Sequence, residues 1–354
     1  MSTVSSAVAA LAEVMAGRRT LAVTGAGIST DSGIPDYRGV GTTPIEPVDF
    51  QQFTADPVWY RWVWARNQAT WRLLEGLSPT PGHLALVCLE KAGLLSGVAT
   101  QNVDRLHSRA GQATVWELHG AYDRVVCLTC GRMVGRAEID ARLEAANPGF
   151  PRESDPARIA ITPEADRAAA EACDFRAVTC EACDGLLKPD IVFFGESLPP
   201  AMDAAMRAAG ECDAVLVAGT SLAVLTGLWI VRQAMAHGAE VLVINRGPTA
   251  VDELADVRVG GGTSEVLSAL AGELLGGKYG DIAELWYDMG KPNPAQSDQL
   301  RAWAHELQPD IMINSRVGND RADFEVGWDN EIQSEQTQGP WESAVSIFHK
   351  TWGY

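Results

Sequence analysis

The chain has 354 residues, enough for about two domains or one large and one small, and enough to bury a sizeable core. Its 28 basic residues stand against 46 acidic ones, a formal net charge of -18. That balance argues against broad nucleic-acid binding, which needs a basic surface. No apolar run reaches the roughly 18 residues that span a bilayer, so no membrane role is expected and a cytoplasmic enzyme is the default.

Ser5 to Met15 is apolar, is interrupted by Glu13 and has no basic segment before it; it reads as a first helix rather than a secretory signal. Arg19 to Thr24 is a short apolar strand that runs into Gly25-Ala26-Gly27-Ile28-Ser29, with a helix expected to open near Ser29. Strand, glycine turn and helix in that order form a dinucleotide-binding unit, in which backbone N–H groups approach a pyrophosphate. The third glycine is displaced to Gly33, so the match to G-x-G-x-x-G is imperfect. A plain strand-to-helix turn is the competing reading.

Pro35 stops a regular helix, and Gly39 to Asp49 shows no periodicity, as in a segment that closes over a ligand. Phe53 to Leu74 carries Trp59, Trp62, Trp64 and Trp71 and is predicted helical. Packing of a small helical module accounts for these rings; the sharper reading is a greasy acyl-binding wall. His83 to Ala92 is a further helix, ended by Gly93. Gly97 to Thr100 is a strand with Gln101-Asn102-Val103-Asp104 at its carboxyl end, where open parallel sheets bind ligands. Val115 to Leu118 is another, ending at His119, a candidate general base with an ordinary pKa near 6.5. No Ser-His-Asp order and no metal-ligating histidine pair offers a competing mechanism.

Two of the seven cysteines form Cys127-x-x-Cys130 and two form Cys180-x-x-Cys183, bracketing a polar insert. Four thiolates suit a tetrahedral, closed, structural zinc with no open position for substrate. Cys173 is close enough in sequence to compete but lacks a Cys-x-x-Cys partner; it, Cys88 and Cys212 read as ordinary thiols. Beyond Leu187 the strand–helix rhythm returns. Ile191 to Glu196 reads as a strand or extended edge, Ala214 to Ala218 leads into Gly219-Thr220-Ser221, and Glu240 to Ile244 leads into Asn245-Arg246-Gly247. The fold class is α/β, a Rossmann-like doubly wound parallel sheet covered on both faces, with a smaller helical and zinc-binding module. The expected division is a catalytic domain over 1–276, with Rossmann-like parts at 1–40, 93–125 and 188–276, a helical module at about 41–92 and a zinc module at about 126–187. Composition shifts after Gly276-Gly277.

Together these residues resemble the sirtuins, NAD-dependent protein deacylases. The matching motifs are Gly25-Ala-Gly-Ile-Ser29 with Gly33-Ile-Pro-Asp-Tyr-Arg38, Thr100-Gln-Asn-Val-Asp104, His119-Gly120, both cysteine pairs, Lys188-Pro-Asp-Ile-Val-Phe-Phe-Gly-Glu196 and Gly219-Thr-Ser-Leu222. Trp64-Ala-Arg-Asn67 and the long insert are similar to the class II branch. The resemblance implies NAD as co-substrate, one structural zinc ion, and an acylated-lysine protein or peptide as partner. It places Gly25, Ala26, Gly27, Ser29, Asp36, Arg38, Gln101, Asn102, Asp104, Gly219, Thr220, Ser221, Asn245, Arg246, Gly247 and Thr263 along the dinucleotide. Asp104 would hold the nicotinamide carboxamide, Asn102 would orient the ribose and water, and His119 would take a proton from a ribose hydroxyl. Val192, Phe193, Phe194, Gly195 and Glu196 would pair with the peptide as an added strand.

The desuccinylase branch carries Tyr-x-x-Arg in its acyl pocket. Here Val63 stands three residues before Arg66, so a strong preference for acidic acyl groups is not expected. ADP-ribosyl transfer and lipoamidase-type deacylation are the alternatives within the family, and a non-catalytic NAD-binding zinc module is the alternative outside it. The tail, with Tyr279 to Asp288, Gln308 to Arg316, Gly339 to Glu342 and Trp352 to Tyr354, resembles a fragment of a family 29 α-L-fucosidase, in which Asp288 would be the nucleophile. A (β/α)8 barrel needs about 250 residues, so residues 277–354 are expected to be an incomplete, poorly packed barrel piece without glycosidase activity.

Overall fold

A computed structural model describes residues 3–34, 47–150, 165–275, 284–285, 292–326 and 341–342. In chain order, α1 (Thr3–Met15) leads to β1 (Thr20–Thr24), α2 (Phe50–Ala55), α3 (Pro57–Glu75), α4 (Pro81–Lys91) and β2 (Leu95–Thr100). Then come α5 (Leu106–Ala110), β3 (Val115–Glu117), β4 (Gly120–Cys127), β5 (Met133–Gly135), α6 (Arg136–Ala146), α7 (Arg167–Ala172) and β6 (Leu187–Ile191). The sheet region closes with α8 (Pro200–Glu211), β7 (Ala214–Ala218), α9 (Leu225–Ala236), β8 (Glu240–Ile244), β9 (Val257–Val259) and α10 (Thr263–Leu275). The tail contributes β10 (Glu284–Leu285), α11 (Pro294–Leu307) and β11 (Met312–Ile313).

Six strands form one sheet in the order β3-β2-β1-β7-β8-β9, and every pairing in it is parallel. Alternation decides which face each side chain joins. Ala22, Leu216 and Leu242 pack with Leu11, Met15, Leu86, Leu89, Leu267 and Leu270, so α1, α4 and α10 cover one face. Leu21, Val23, Val215, Val217 and Val243 pack with Met202, Ala205, Ile230 and Val231, so α8 and α9 cover the other. This is the doubly wound sheet expected from the apolar strands. Chain order reverses at β1, whose neighbours are β2 on one side and β7 on the other; ligands bind at such a switch point, outside the carboxyl ends of the strands.

The helix expected near Ser29 is instead two single 3-10 turns, Ala26–Ile28 and Thr30–Ser32. The physical reason is that the Gly27 carbonyl accepts the hydroxyls of Thr30 (3.2 Å) and Thr263 (3.0 Å), and so is taken from an α-helical ladder. The single helix expected over Phe53 to Leu74 is two. Asp56 caps α3 by accepting Val58 N–H at 2.8 Å, and Pro57 opens it, since proline fits the first turn but has no N–H with which to continue α2.

The helical and zinc modules share one core. Phe53, Trp59, Val63, Trp64 and Leu74 from α2 and α3 pack with Tyr122, Val125, Ile139, Leu143, Leu187 and Phe193, and β5-β4-β6 forms a small antiparallel sheet beneath them. The Arg136 guanidinium is fully buried there. It lies 5.5 Å from the Trp64 ring centre and 5.6 Å from that of Trp71, and donates to the side-chain oxygens of Asn67 and Gln68. Trp59 and Trp64 are core residues, and Trp62 and Trp71 pack partly buried against them. The helical module is also shorter than the 41–92 expected, because α4 belongs to the sheet layer through Leu86 and Leu89.

The described part of the tail is not poorly packed. β10 and β11 pair in parallel around α11. Leu285, Leu300, Ile311, Ile313 and Val317 pack on Leu84 and Cys88 of α4. Gly276-Gly277 and Asp288 lie outside the described residues. No helix among the described residues is long and apolar enough to cross a membrane.

Candidate active site

The loops that follow β1, β2, β3 and β7 meet at the switch point. Gly27 N–H donates to the Gly219 carbonyl at 2.8 Å, which brings the loops after β1 and β7 together. Across them, Asn102 Nδ2 donates to the Gly25 carbonyl and to Ser29 Oγ, both at 3.1 Å. Ser29 in turn donates to Asp104 Oδ2 at 2.7 Å, and Leu106 N–H donates to Asp104 Oδ1 at 2.9 Å. Asp104 is 5% exposed, and burial raises its carboxyl pKa against those hydrogen bonds. Ser29, Asn102 and Asp104 therefore form one rigid polar cluster beside the glycine turn. A cavity of about 430 Å³ lies against Asp104, lined in part by Trp71, Arg105, Arg109 and Tyr122.

His119 stands between β3 and β4. Its Nδ1 is 2.9 Å from the Gln101 carbonyl and its Nε2 is 2.8 Å from Thr226 Oγ1. A carbonyl only accepts, so the proton sits on Nδ1 and Nε2 carries the lone pair. Burial lowers the imidazole pKa, and the Gln101 contact opposes that; the ring is neutral near pH 7, as a base must be. Gly120 is required at the next position. Its φ is +74°, and a Cβ there would lie 2.0 Å from the Asp190 carbonyl. This close approach lets Val192 N–H donate to the His119 carbonyl at 2.9 Å.

The Gln101 side chain is fully engaged within the chain. Its Oε1 accepts the Thr220 hydroxyl at 2.8 Å, and its Nε2 donates to Val224 O and Thr226 Oγ1, both at 3.2 Å. Thr226 is the residue that sequence reading missed, because nothing in its local sequence links it to a histidine 107 positions away. A second missed set lies behind Asn102. His107 Nε2 is 2.8 Å from Thr24 Oγ1, Thr24 donates to Thr100 Oγ1 at 2.9 Å, and Thr100 Oγ1 accepts Asn102 N–H at 3.1 Å.

The residues expected at the adenosine end follow β7, β8 and β9. Thr263 Oγ1 reaches Gly27 O, and Asn245 Nδ2 closes its own turn onto the Gly247 carbonyl at 2.9 Å. Arg246 is exposed and lies over Gly262, while Ser221 O accepts Ala250 N–H at 3.0 Å. Asp36 and Arg38 fall outside the described residues.

The stretch from Val192 to Glu196 is not a continued strand, since β6 ends at Ile191. It is a loop closed by Lys188, whose Nζ donates to Ile191 O at 2.6 Å and pairs with Glu196 at 3.1 Å. The same carboxylate accepts Phe193 N–H at 3.0 Å. Phe193 is 1% exposed and belongs to the core, whereas Phe194 is 56% exposed. Within this stretch the Phe193 ring and the Glu196 carboxylate face inward.

The four cysteine sulfurs lie within 4.8 Å of one another. Cys127 Sγ is 3.5 Å from Cys183 Sγ, and Cys130 Sγ is 3.8 Å from Cys180 Sγ. A tetrahedron of thiolates about 2.3 Å from zinc has edges of about 3.8 Å, so the donor set fits that ion. Cys173 is outside the cluster.

The Sir2 family model matches residues 25–226. The chain belongs to the sirtuin family. This sirtuin is 50% identical over 266 residues to NAD-dependent protein deacetylase 1 of Mycobacterium avium, covering 75% of this chain and 94% of that protein. It is 38% identical over 259 residues to the human mitochondrial NAD-dependent protein lipoamidase sirtuin-4, covering 71% and 81%. Among solved structures, it is similar to one described under the structural basis for the mechanism and regulation of Sir2 enzymes, with a TM-score of 0.59, 30% identity, and 76% and 98% of the two chains covered. It is also similar to Sir2Af2 bound to a myristoylated histone peptide, with a TM-score of 0.54, 28% identity, and coverage of 76% and 96%.

Proposed function

We infer that this sirtuin is an NAD-dependent protein lysine deacylase that yields nicotinamide, O-acyl-ADP-ribose and free lysine. The observation that carries the reading is the neutral His119 imidazole, its proton fixed on Nδ1 by Gln101 and its Nε2 lone pair at the carboxyl end of the sheet. A pure binding module has no use for a base held in one tautomer. Bound NAD supplies an electrophilic ribose carbon and a nicotinamide leaving group. The chain's own residues do the rest. The loops after β1 and β7 hold the dinucleotide, and Asp104 and Asn102 orient its reactive end. His119 Nε2 takes the hydroxyl proton. Cys127, Cys130, Cys180 and Cys183 would hold zinc as a closed staple with no open position, so the metal supports the module and leaves the chemistry to the sheet.

The substrate is an acylated lysine in a protein or peptide. Val63 is buried, and the Arg66 guanidinium lies 5.7 Å from the Trp62 ring centre, which supports neutral acyl groups over acidic ones. A related structure holding a deacetylated p53 peptide with 3'-O-acetyl ADP ribose supports a short acyl chain, and one bound to a myristoylated histone peptide supports a long one. A reducing, cytoplasmic compartment suits seven cysteines of which none is paired in a disulfide. The test is nicotinamide release from NAD with acetyl-, lipoyl- and succinyl-lysine peptides, for the native chain and His119→Ala. Peptide-dependent release by the native chain is expected, and His119→Ala should abolish the formation of free lysine. Release without peptide would replace the reading with glycohydrolase or ADP-ribosyl-transfer chemistry.

A further inference from the structure

His119 Nε2 is not left open in the ligand-free chain. The direction of every hydrogen bond around it is determined. Val224 O only accepts, so the Gln101 side-chain amide points its NH2 group toward α9 at 3.2 Å, and that group also reaches Thr226 Oγ1 at 3.2 Å. Gln101 Oε1 then faces the Thr220 hydroxyl, which donates at 2.8 Å. Gln101 O only accepts, so His119 Nδ1 carries the proton and Nε2 must receive the Thr226 hydroxyl at 2.8 Å. The result is a closed relay from Thr220 through the Gln101 amide and Thr226 to His119, returning to the Gln101 backbone. Thr226 is 6% exposed, and as the second residue of α9 it is fixed by the helix.

We propose that Thr226 is a positioning residue for His119: its hydroxyl seats the imidazole with Nε2 toward the dinucleotide crevice and cedes that lone pair to the ribose hydroxyl when NAD binds. The inference rests on the deacylase reading. One hydrogen bond to Nε2 is exchanged for another, so the base is pre-oriented without a buried unpaired nitrogen in the free chain. Thr220 and Gln101, which stand at the dinucleotide site, are coupled to the base through the same relay. Occupancy of the crevice is therefore transmitted to the lone pair by side chains, without movement of the sheet.

The experiment compares the full chain with Thr226→Val and Thr226→Ser, using NAD and an acetyl-lysine peptide. Three readouts are taken: kcat for lysine release, nicotinamide exchange, and the 15N resonance of His119 Nε2. Thr226→Val is expected to lower kcat roughly 3- to 10-fold, because an imidazole no longer seated by that hydroxyl must be oriented at a cost of about one hydrogen bond. It should leave nicotinamide exchange and the KM for NAD unchanged, because the base acts after nicotinamide departs. Its Nε2 resonance should move toward that of an acceptor without a donor, and Thr226→Ser should restore rate and resonance together. If Thr226→Val does not fold, Thr226→Ala takes its place with the same readouts. A Val or Ala variant as fast as the native chain or faster, or a Ser variant no better than Val, would overturn the proposal. No nicotinamide release from the native chain would instead overturn the deacylase reading beneath it.

Discussion

Gly27 and Gly219 touch backbone to backbone: the N–H of one donates to the carbonyl of the other at 2.8 Å, and a Cβ on Gly27 would lie 2.7 Å from that same oxygen. Gly219 also holds φ at +65°, and a Cβ there would lie 2.5 Å from Ile28 N. Neither position has room for a methyl group, and both lie on the loops after β1 and β7 that are proposed to hold the dinucleotide. Gly219→Ala should destabilise the fold by about 1–3 kcal/mol and weaken NAD binding at least tenfold. Calorimetric titration with NAD beside a urea melt checks both. Unchanged affinity would mean that these loops do not form the cradle.

Metal removal should act on stability before chemistry. The thiolates join the turn at Cys127–Cys130 to the turn at Cys180–Cys183. One zinc per chain is expected by elemental analysis. Cys127→Ser and Cys183→Ser should each lose the metal and melt at markedly lower temperature, while Cys173→Ser should keep it. Full zinc content in either cluster variant would remove those sulfurs from the ligand set.

Acid should unfold the chain earlier than its carboxylates alone would require. Burial pushes the His107 imidazole down to about 3, holds His83 well below 6.5, and lowers His119 as well. Each folded-state value is depressed, so the unfolded chain takes up more protons once the pH drops below about 6.5, and stability falls through the window that ends, for His107, near pH 3. Asp104 has the opposite sign: its raised pKa costs stability as pH climbs past 3.8. The urea midpoint should therefore drop between pH 7 and pH 5, and less steeply in His107→Asn. A flat midpoint over that range would contradict the buried neutral imidazoles.

Removing the tail should expose the α4 face. Leu84 and Cys88 pack against Leu300, Ile313 and Val317. A chain ending at Leu275 is expected to keep peptide-dependent nicotinamide release, to lose several degrees in melting temperature, and to aggregate more readily. Equal melting with and without the tail would show that the packing contributes nothing.

The sheet was readable because its strands are short unbroken apolar runs, and the metal cluster because two Cys-x-x-Cys pairs leave few alternatives. The dinucleotide loops were readable as places but not as shapes. The turns at Ala26–Ile28 and Thr30–Ser32 depend on Thr263 reaching Gly27 O, a contact between residues 236 apart. The loop from Val192 to Glu196 reads as a strand by composition, yet buried Lys188 folds it back onto Glu196. Thr226 was invisible for the same reason, since its contact with His119 exists only once α9 is docked against β1 and β7. What one sequence hides is side-chain hydroxyl and ammonium bonding, which leaves no periodic trace.

Trp59 and Trp64 lie in the same core as Cys127, Cys180 and Leu187, and Trp62 and Trp71 pack against it. The Arg136 cation beside the Trp64 and Trp71 rings ties the metal-bearing insert to α3. The small lobe is thus a single mechanical body with its own optical reporter. Any loosening at the cysteines changes the surroundings of these indoles, so intrinsic fluorescence can follow metal exchange in real time, independent of turnover and without a label.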